Sequence, residues 1–150
     1  MGVVVANVTI QRNAFLFCRY SVALMVWGAL FFEGPRAYLL GAVFVIMALS
    51  AILTVQWAPM VWIYTKTAGR FIASKDVVLD IKAMRVAHGL GAVLALVCLS
   101  LVLHDKPYAV YVVAAFAALK TASALGACPA YKIYGCLTKG GGCCAITGKR

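Results

Sequence analysis

Acidic residues are nearly absent from this chain: Asp and Glu number 4 against 14 Lys and Arg in 150 residues. All four, Glu33, Asp76, Asp80 and Asp105, fall between apolar runs and none within one. That excludes paired carboxylates for general acid–base work and a carboxylate proton relay through a membrane. Histidine is scarce too. His88 and His104 lie near opposite ends of one apolar run, where they cannot face each other as haem ligands, so both are expected at an interface. No Ser/His/Asp set is present, and Gly140-Gly141-Gly142 lacks the Gly-Lys-Ser/Thr continuation of a phosphate loop. The expectation is a protein without enzymatic activity and without a cofactor.

Charge as a whole is sparse, at 12% of residues, while 65% are hydrophobic and the mean hydropathy is +0.96. A soluble domain runs near ~45–50% apolar and ~25% charged. So small a core cannot hide this excess, and lipid is the expected solvent for much of the surface. The net charge of +10 is then no sign of nucleic acid, because the basic residues flank apolar runs.

Those runs are Ala14–Phe32, Ala37–Trp57, Val86–Leu103 and Tyr108–Ala127. Each approaches the ~20 residues that span a ~30 Å hydrocarbon layer as a helix. Between them lie Glu33-Gly34-Pro35-Arg36, a long polar stretch from Pro59 to Arg85, and His104-Asp105-Lys106-Pro107. The expected fold is all-α: four transmembrane helices as two tandem hairpins of the same orientation. One polytopic domain covers residues 1–150, with hairpin one at about 8–64, hairpin two at about 76–134 and a Cys/Gly/Lys tail at 135–150. The first run is too long for a signal-peptide core and lacks a small-x-small exit, so no cleavable signal is expected.

Basic residues set the orientation. Arg12, Lys66, Arg70, Lys75, Lys82, Arg85, Lys132, Lys139, Lys149 and Arg150 fall on one side of the four-helix plan. Arg36 and Lys106, each beside an acid, fall on the other. The positive-inside rule puts both termini and the central loop on the cytoplasmic or matrix-like side, as an integral multi-pass membrane protein. In that loop Val61, Tyr64, Ala68, Phe71 and Ile72 recur at helical spacing opposite Lys66 and Arg70, which predicts a short interfacial amphipathic helix. Trp57, Trp62 and Tyr64 would sit in an aromatic belt beside it. Ser74 or Asp76 is the expected cap of the third helix.

An offset of 70 residues aligns Pro59, Ile63 and Tyr64 with Pro129, Ile133 and Tyr134, and Tyr38 and Val43 with Tyr108 and Val113. Span one then falls on span three and span two on span four, as a duplicated hairpin would require.

Six cysteines are present. Cys18 and Cys98, inside runs, are expected to pack as small hydrophobes. Cys128, Cys136, Cys143 and Cys144 lie on the reducing side, and their spacing suits neither a disulfide framework nor zinc. Cys128 is the candidate reactive thiol: Pro129 forces the last helix to stop there, and Lys132 follows one turn on. Arg19 and Lys120 are charges within spans and form a candidate intramembrane basic site for an anion or a partner's acid. Lys132, Lys139, Lys149 and Arg150 are the candidate contacts to partner or lipid.

Cys128-Pro129-Ala130-Tyr131-Lys132-Ile133-Tyr134-Gly135 resembles the close of the small membrane hairpins fused to inner-membrane rhodaneses, Cys-Pro-x-Tyr-x-x-x-Gly. Arg85 before Gly89 and Gly91 resembles the opening of such a hairpin. The chain is also similar to a four-helix membrane family whose last span ends Cys-Leu-Gly-Cys-x-x-Tyr. Cys128 and Tyr134 match, whereas Tyr131 stands in place of the second cysteine. The resemblance implies association with sulfur-handling proteins. The expected role is a small accessory or structural subunit of a membrane complex, partnered by other membrane subunits or by copies of itself. Anionic lipid is expected on the inside face. A thiol-based sulfur carrier using Cys128 and a small anion channel or transporter are the alternatives.

Overall fold

The computed structural model describes residues 7–53, 57–70 and 75–126. Strand β1 (Asn7–Gln11) leads directly into α1 (Arg12–Phe31), which a short turn joins to α2 (Arg36–Ile52). The central segment holds α3 (Pro59–Lys66) and a 3-10 turn at Ala68–Arg70. Strand β2 (Asp76–Asp80) then leads directly into α4 (Ile81–Leu103), followed by α5 (Ala109–Ala124). Among the described residues, the regular structure apart from the two short strands is helical. Helices α1 and α4, with 20 and 23 residues, are long and apolar enough to cross a membrane, whereas α2 and α5 are apolar but shorter, at 17 and 16 residues.

Helices α1, α2, α4 and α5 form a four-helix bundle. The main seams run between α2 and α4 and between α1 and α5, with α1 also against α2. Its core takes residues from all four: Val22, Val26 and Ala29; Leu40, Val43 and Met47; Ala92, Ala95 and Cys98; Val113, Phe116 and Ala117. Many of the buried positions are Ala or Gly, which let backbones approach closely. Large apolar side chains point outward instead, among them Leu24, Tyr38, Val93 and Tyr111, each more than half exposed.

A second core closes one end of the bundle. β1 and β2 pair antiparallel, Asn7 opposite Asp80 through Gln11 opposite Asp76. β-Branched Val8, Ile10, Val77 and Val78 favour the extended backbone. Alternation turns Val8, Ile10 and Leu79 inward, onto Ala14, Cys18, Met84 and, from α3, Val61 and Tyr64. The ribbon was not expected from the sequence. A five-residue strand with a single apolar alternation gives little signal, and its partner lies 69 residues away.

Local chemistry explains the helix ends. Asp80 caps α4, accepting from the backbone N–H of Lys82 at 2.9 Å and of Ala83 at 3.3 Å. Of the two expected caps, Asp76 instead opens β2, and Ser74 lies outside the described residues. Extended pairing with β1 holds residues 76–80 out of the helix, which therefore starts later. At its other end α4 closes with Lys106 N–H donating to Leu101 O and Asp105 N–H to Val102 O, a Schellman pair with Asp105 at φ 49. Helix α5 stops at Ala124, ahead of the Cys128 stop expected from Pro129. Gly126 adopts φ +102 and donates to Ser123 O at 3.1 Å, which turns the chain off the helix first. The loop helix α3 opens with Pro59, whose missing N–H costs nothing at a helix start, and buries Val61 and Tyr64.

Element order repeats as strand, helix, helix, at a spacing of 69 residues from Asn7 to Asp76 and from Arg12 to Ile81. At that spacing buried Ala14, Val22, Ala23, Val26 and Ala29 of α1 fall on Ala83, Gly91, Ala92, Ala95 and Cys98 of α4, all buried as well. In the second helices, buried Val43 and Met47 fall on buried Val113 and Ala117 at a spacing of 70. The gapless 70-residue register therefore shifts by one residue in the first strand and helix. The Pro59/Pro129 and Tyr64/Tyr134 matches cannot be placed, because residues 127–150 lie outside the described residues.

Candidate functional site: a basic centre within the bundle

Lys120 sits on the last turns of α5 and sends its side chain into the bundle. Its ammonium donates to Met47 Sδ of α2 at 3.2 Å and lies 5.2 Å from the ring centroid of Phe116. Gly91 of α4 makes the room. A Cβ at that position would stand 2.7 Å from Lys120 Nζ and 2.8 Å from Met47 Sδ. Arg19 lies over Phe15, with Cζ 5.0 Å from the ring centroid, on the side of the ribbon end. Three helices thus contribute: α2 with Met47, α4 with Gly91, and α5 with Lys120 and Phe116.

Arg19 and Lys120 were singled out from the sequence; Lys120 points to Met47 and Gly91, while Arg19 lies over Phe15. His88, expected at an interface, is only partly exposed. Gly91 and Met47 were missed, because neither carries charge and their roles depend on which helices face each other. The signal available in sequence was Gly91 itself, a helix-weakening residue at the middle of an apolar run. Cys18 and Cys98 are buried and free, as small core residues.

Here an ammonium meets a thioether and an aromatic ring, with no carboxylate in the central turns of any bundle helix. Among the described residues no group of three or more His, Cys, Asp or Glu is placed to hold a metal ion.

Beside the centre, α1 and α5 leave a shallow groove of ≈ 180 Å³ lined by Tyr20, Ala23, Leu24, Trp27, Thr121, Ala124 and Leu125. Trp27 Nε1 donates to Thr121 Oγ1 at 2.9 Å across it, and the Thr121 hydroxyl donates to Ala117 O at 2.9 Å.

The ribbon end carries an exposed basic collar of Arg12, Lys66, Lys75, Lys82 and Arg85. Lys66 Nζ lies 5.9 Å over the Trp62 ring. At the turn end Arg36 is paired with Glu33 at 3.7 Å and donates to the carbonyls of Ala29 and Leu30. Cys128, Cys136, Cys143, Cys144, Lys132, Lys139, Lys149 and Arg150 lie outside the described residues.

A family model described as Domain of unknown function (DUF4395) matches residues 9–139. No curated protein and no solved structure matches the chain.

Proposed function

This chain belongs to the DUF4395 family, and we propose that it is a four-span membrane protein serving as a small, non-catalytic accessory or structural subunit of a larger membrane complex. The observation that carries the membrane reading is the apolar coat: large Leu, Val, Phe and Tyr side chains lie exposed along the outside of the four bundle helices. In water that coat would be an aggregation surface; in lipid it is solvated.

Helices α2 and α5 reach about 25 Å at 1.5 Å per residue, against a hydrocarbon layer of about 30 Å. Local thinning and the exposed aromatics Phe32, Tyr38, Trp57 and Tyr108 near the helix ends accommodate the difference. The basic collar supports a ribbon end on the cytoplasmic or matrix-like side. The repeated strand–helix–helix order, the antiparallel ribbon, and the matching α1–α5 and α4–α2 seams favour two hairpins of the same orientation, related by an axis along the membrane normal.

For the subunit role, the basic collar offers several weak contacts, each worth about 1 kcal/mol at an anionic surface. Gly41, where a Cβ would meet nothing within 4 Å, and exposed Ala118 leave close approach open to a further helix. Purification in native lipid followed by mass spectrometry of co-purifying chains tests this. Stoichiometric partner subunits are expected; a monodisperse single chain that retains its cellular role would defeat the reading. The sulfur-carrier alternative rests on Cys128 and the hairpin resemblance. A sulfur-transfer defect in correctly inserted Cys128→Ser would favour it over the subunit. An intact phenotype, with assembly lost when residues after Gly135 are deleted, would favour the subunit.

A further inference from the structure

We propose that the flank of the ribbon end formed by Val77 of β2 with Val86 and Ala87 of α4 is a docking surface for residues 128–134 of this same chain, which seat there as α3 seats against α1. The segment lies beyond the described residues, and its place is inferred from the repeat. The inference rests on the duplicated-hairpin part of the reading above and not on the subunit role, and the test separates the two.

The occupied half sets the pattern. Helix α3 packs against α1 and, more lightly, against α2. Its N-cap Ala58, then Val61 and Tyr64, turn at intervals of three into the second core with Val8, Ala14 and Cys18. Tyr64 meets Phe17 with ring centroids 5.4 Å apart, while Trp62 stays half-exposed.

The other half has the same frame and less cover. At the 69-residue spacing of the first strands and helices, Val8, Ala14, Phe17 and Cys18 fall on Val77, Ala83, Val86 and Ala87. Val8 and Cys18 are 7% and 3% exposed beside α3, whereas Val77 and Ala87 are only partly buried. Among the described residues α4 has no counterpart of α3 beside it.

The chain itself supplies the occupant. At the 70-residue spacing of the second helices, Ala58, Val61 and Tyr64 fall on Cys128, Tyr131 and Tyr134, and Pro59, which opens α3, falls on Pro129. Reach fits as well: α3 starts seven residues after Ile52 ends α2, and Pro129 stands five after Ala124 ends α5. Half-exposed Trp62 is matched by Lys132, so the outward position keeps a residue suited to a basic interface. Side-chain volume points the same way. Where the helix positions shrink, from Phe17 to Val86 and from Cys18 to Ala87, those of the segment grow, from Val61 to Tyr131 and from Ala58 to Cys128. Close-packed contacts between protein elements need such compensation, and a lipid acyl chain would not. Cys128, in the place of Ala58, which is 1% exposed, then has its thiol inside this contact and away from water.

The test uses the full chain in sealed membranes, with native cysteines replaced by Ser and engineered pairs oxidised by copper phenanthroline. Phe17→Cys with Tyr64→Cys is the control, fixed by the ring contact. Val86→Cys with Tyr134→Cys, and Ala87→Cys with Tyr131→Cys, are the test pairs. All three are expected to bridge within one chain, and Phe17→Cys with Tyr134→Cys is expected not to. In a second arm, Cys128 as the sole cysteine should react with a water-soluble maleimide about tenfold more slowly than the sole cysteine of Lys132→Cys, because a covered site reacts only on local opening. The two should react alike after unfolding in SDS. A control bridge with neither test bridge overturns the proposal, as does Cys128 reacting as fast as position 132. Test bridges that join two chains, showing a second copy on this flank, overturn it too. Whether partner chains co-purify bears on the subunit role alone.

Discussion

Arg85, near the start of α4, donates from Nε to the carbonyl of Ala51 at 2.9 Å and from Nη2 to that of Ile52 at 2.7 Å, the last residues of α2. The end of a helix leaves carbonyls without intrahelical partners. Here the planar guanidinium satisfies two of them from a helix more than thirty residues on, and its positive charge suits the negative end of the α2 dipole. Arg36 does the same for α1 through Ala29 and Leu30 at the opposite end. Replacing Arg85 by Met is expected to destabilise the bundle by about 1.5–3 kcal/mol. Arg85→Lys should recover only part of it, because an ammonium cannot reproduce the fork. Thermal unfolding in detergent, followed by circular dichroism, measures both. Equal stability of all three proteins would mean that water caps α2 equally well.

Asp80 joins ribbon to helix. Its carboxylate satisfies the Lys82 and Ala83 amides, so Asp80→Ala should cost about 1 kcal/mol and fray the first turn of α4. Hydrogen exchange at residues 82 and 83 is expected to speed up, with exchange in the middle of α4 unchanged. Asp80→Asn, a competent cap, should exchange nearly as the parent does.

Gln11 Oε1 is buried and finds no donor among the described residues. A Cβ on Gly69 would come within 3.1 Å of it. Replacing Gln11 with Met keeps the volume and removes the orphaned acceptor, so stability should rise by about 1 kcal/mol. A loss of stability instead would mean that the amide oxygen meets a donor outside the described residues.

Sidedness follows from the collar. With native cysteines replaced by Ser, a single Cys at position 75 should be labelled in sealed vesicles only from the cytoplasmic-equivalent side. One at position 105 should be labelled only from the other. Labelling of both from one side would leave α4 unable to cross, and the four-span proposal would fall with it.

Apolar runs of helical length, the charge asymmetry and the turn residues between runs were legible one residue at a time, because each reports its local preference for lipid, water or a bend. The positions of α1, α2, α4 and α5 follow from them, as does the naming of Arg19 and Lys120. The ribbon was not legible. Val8 and Leu79 are brought opposite each other only after a helical pair and α3 have been placed between them. The one-residue shift in the repeat escaped for a related reason. Identical residues such as Val43 and Val113 set a spacing of 70 in the second helices, whereas the matches of the first helices, Ala14 with Ala83 and Ala23 with Ala92, fall at 69 and are only Ala in an Ala-rich chain.

By itself the sequence determined the apolar character of this protein and the order of its helices: hydrophobic content and charge placement are read residue by residue along the chain. Tertiary structure decided which faces meet. That Lys120 should end beside Gly91 and Met47 depends on α2 packing against α4 and α1 against α5. Those seams are set by which small residues fit together, and such complementarity exists only between helices already in contact.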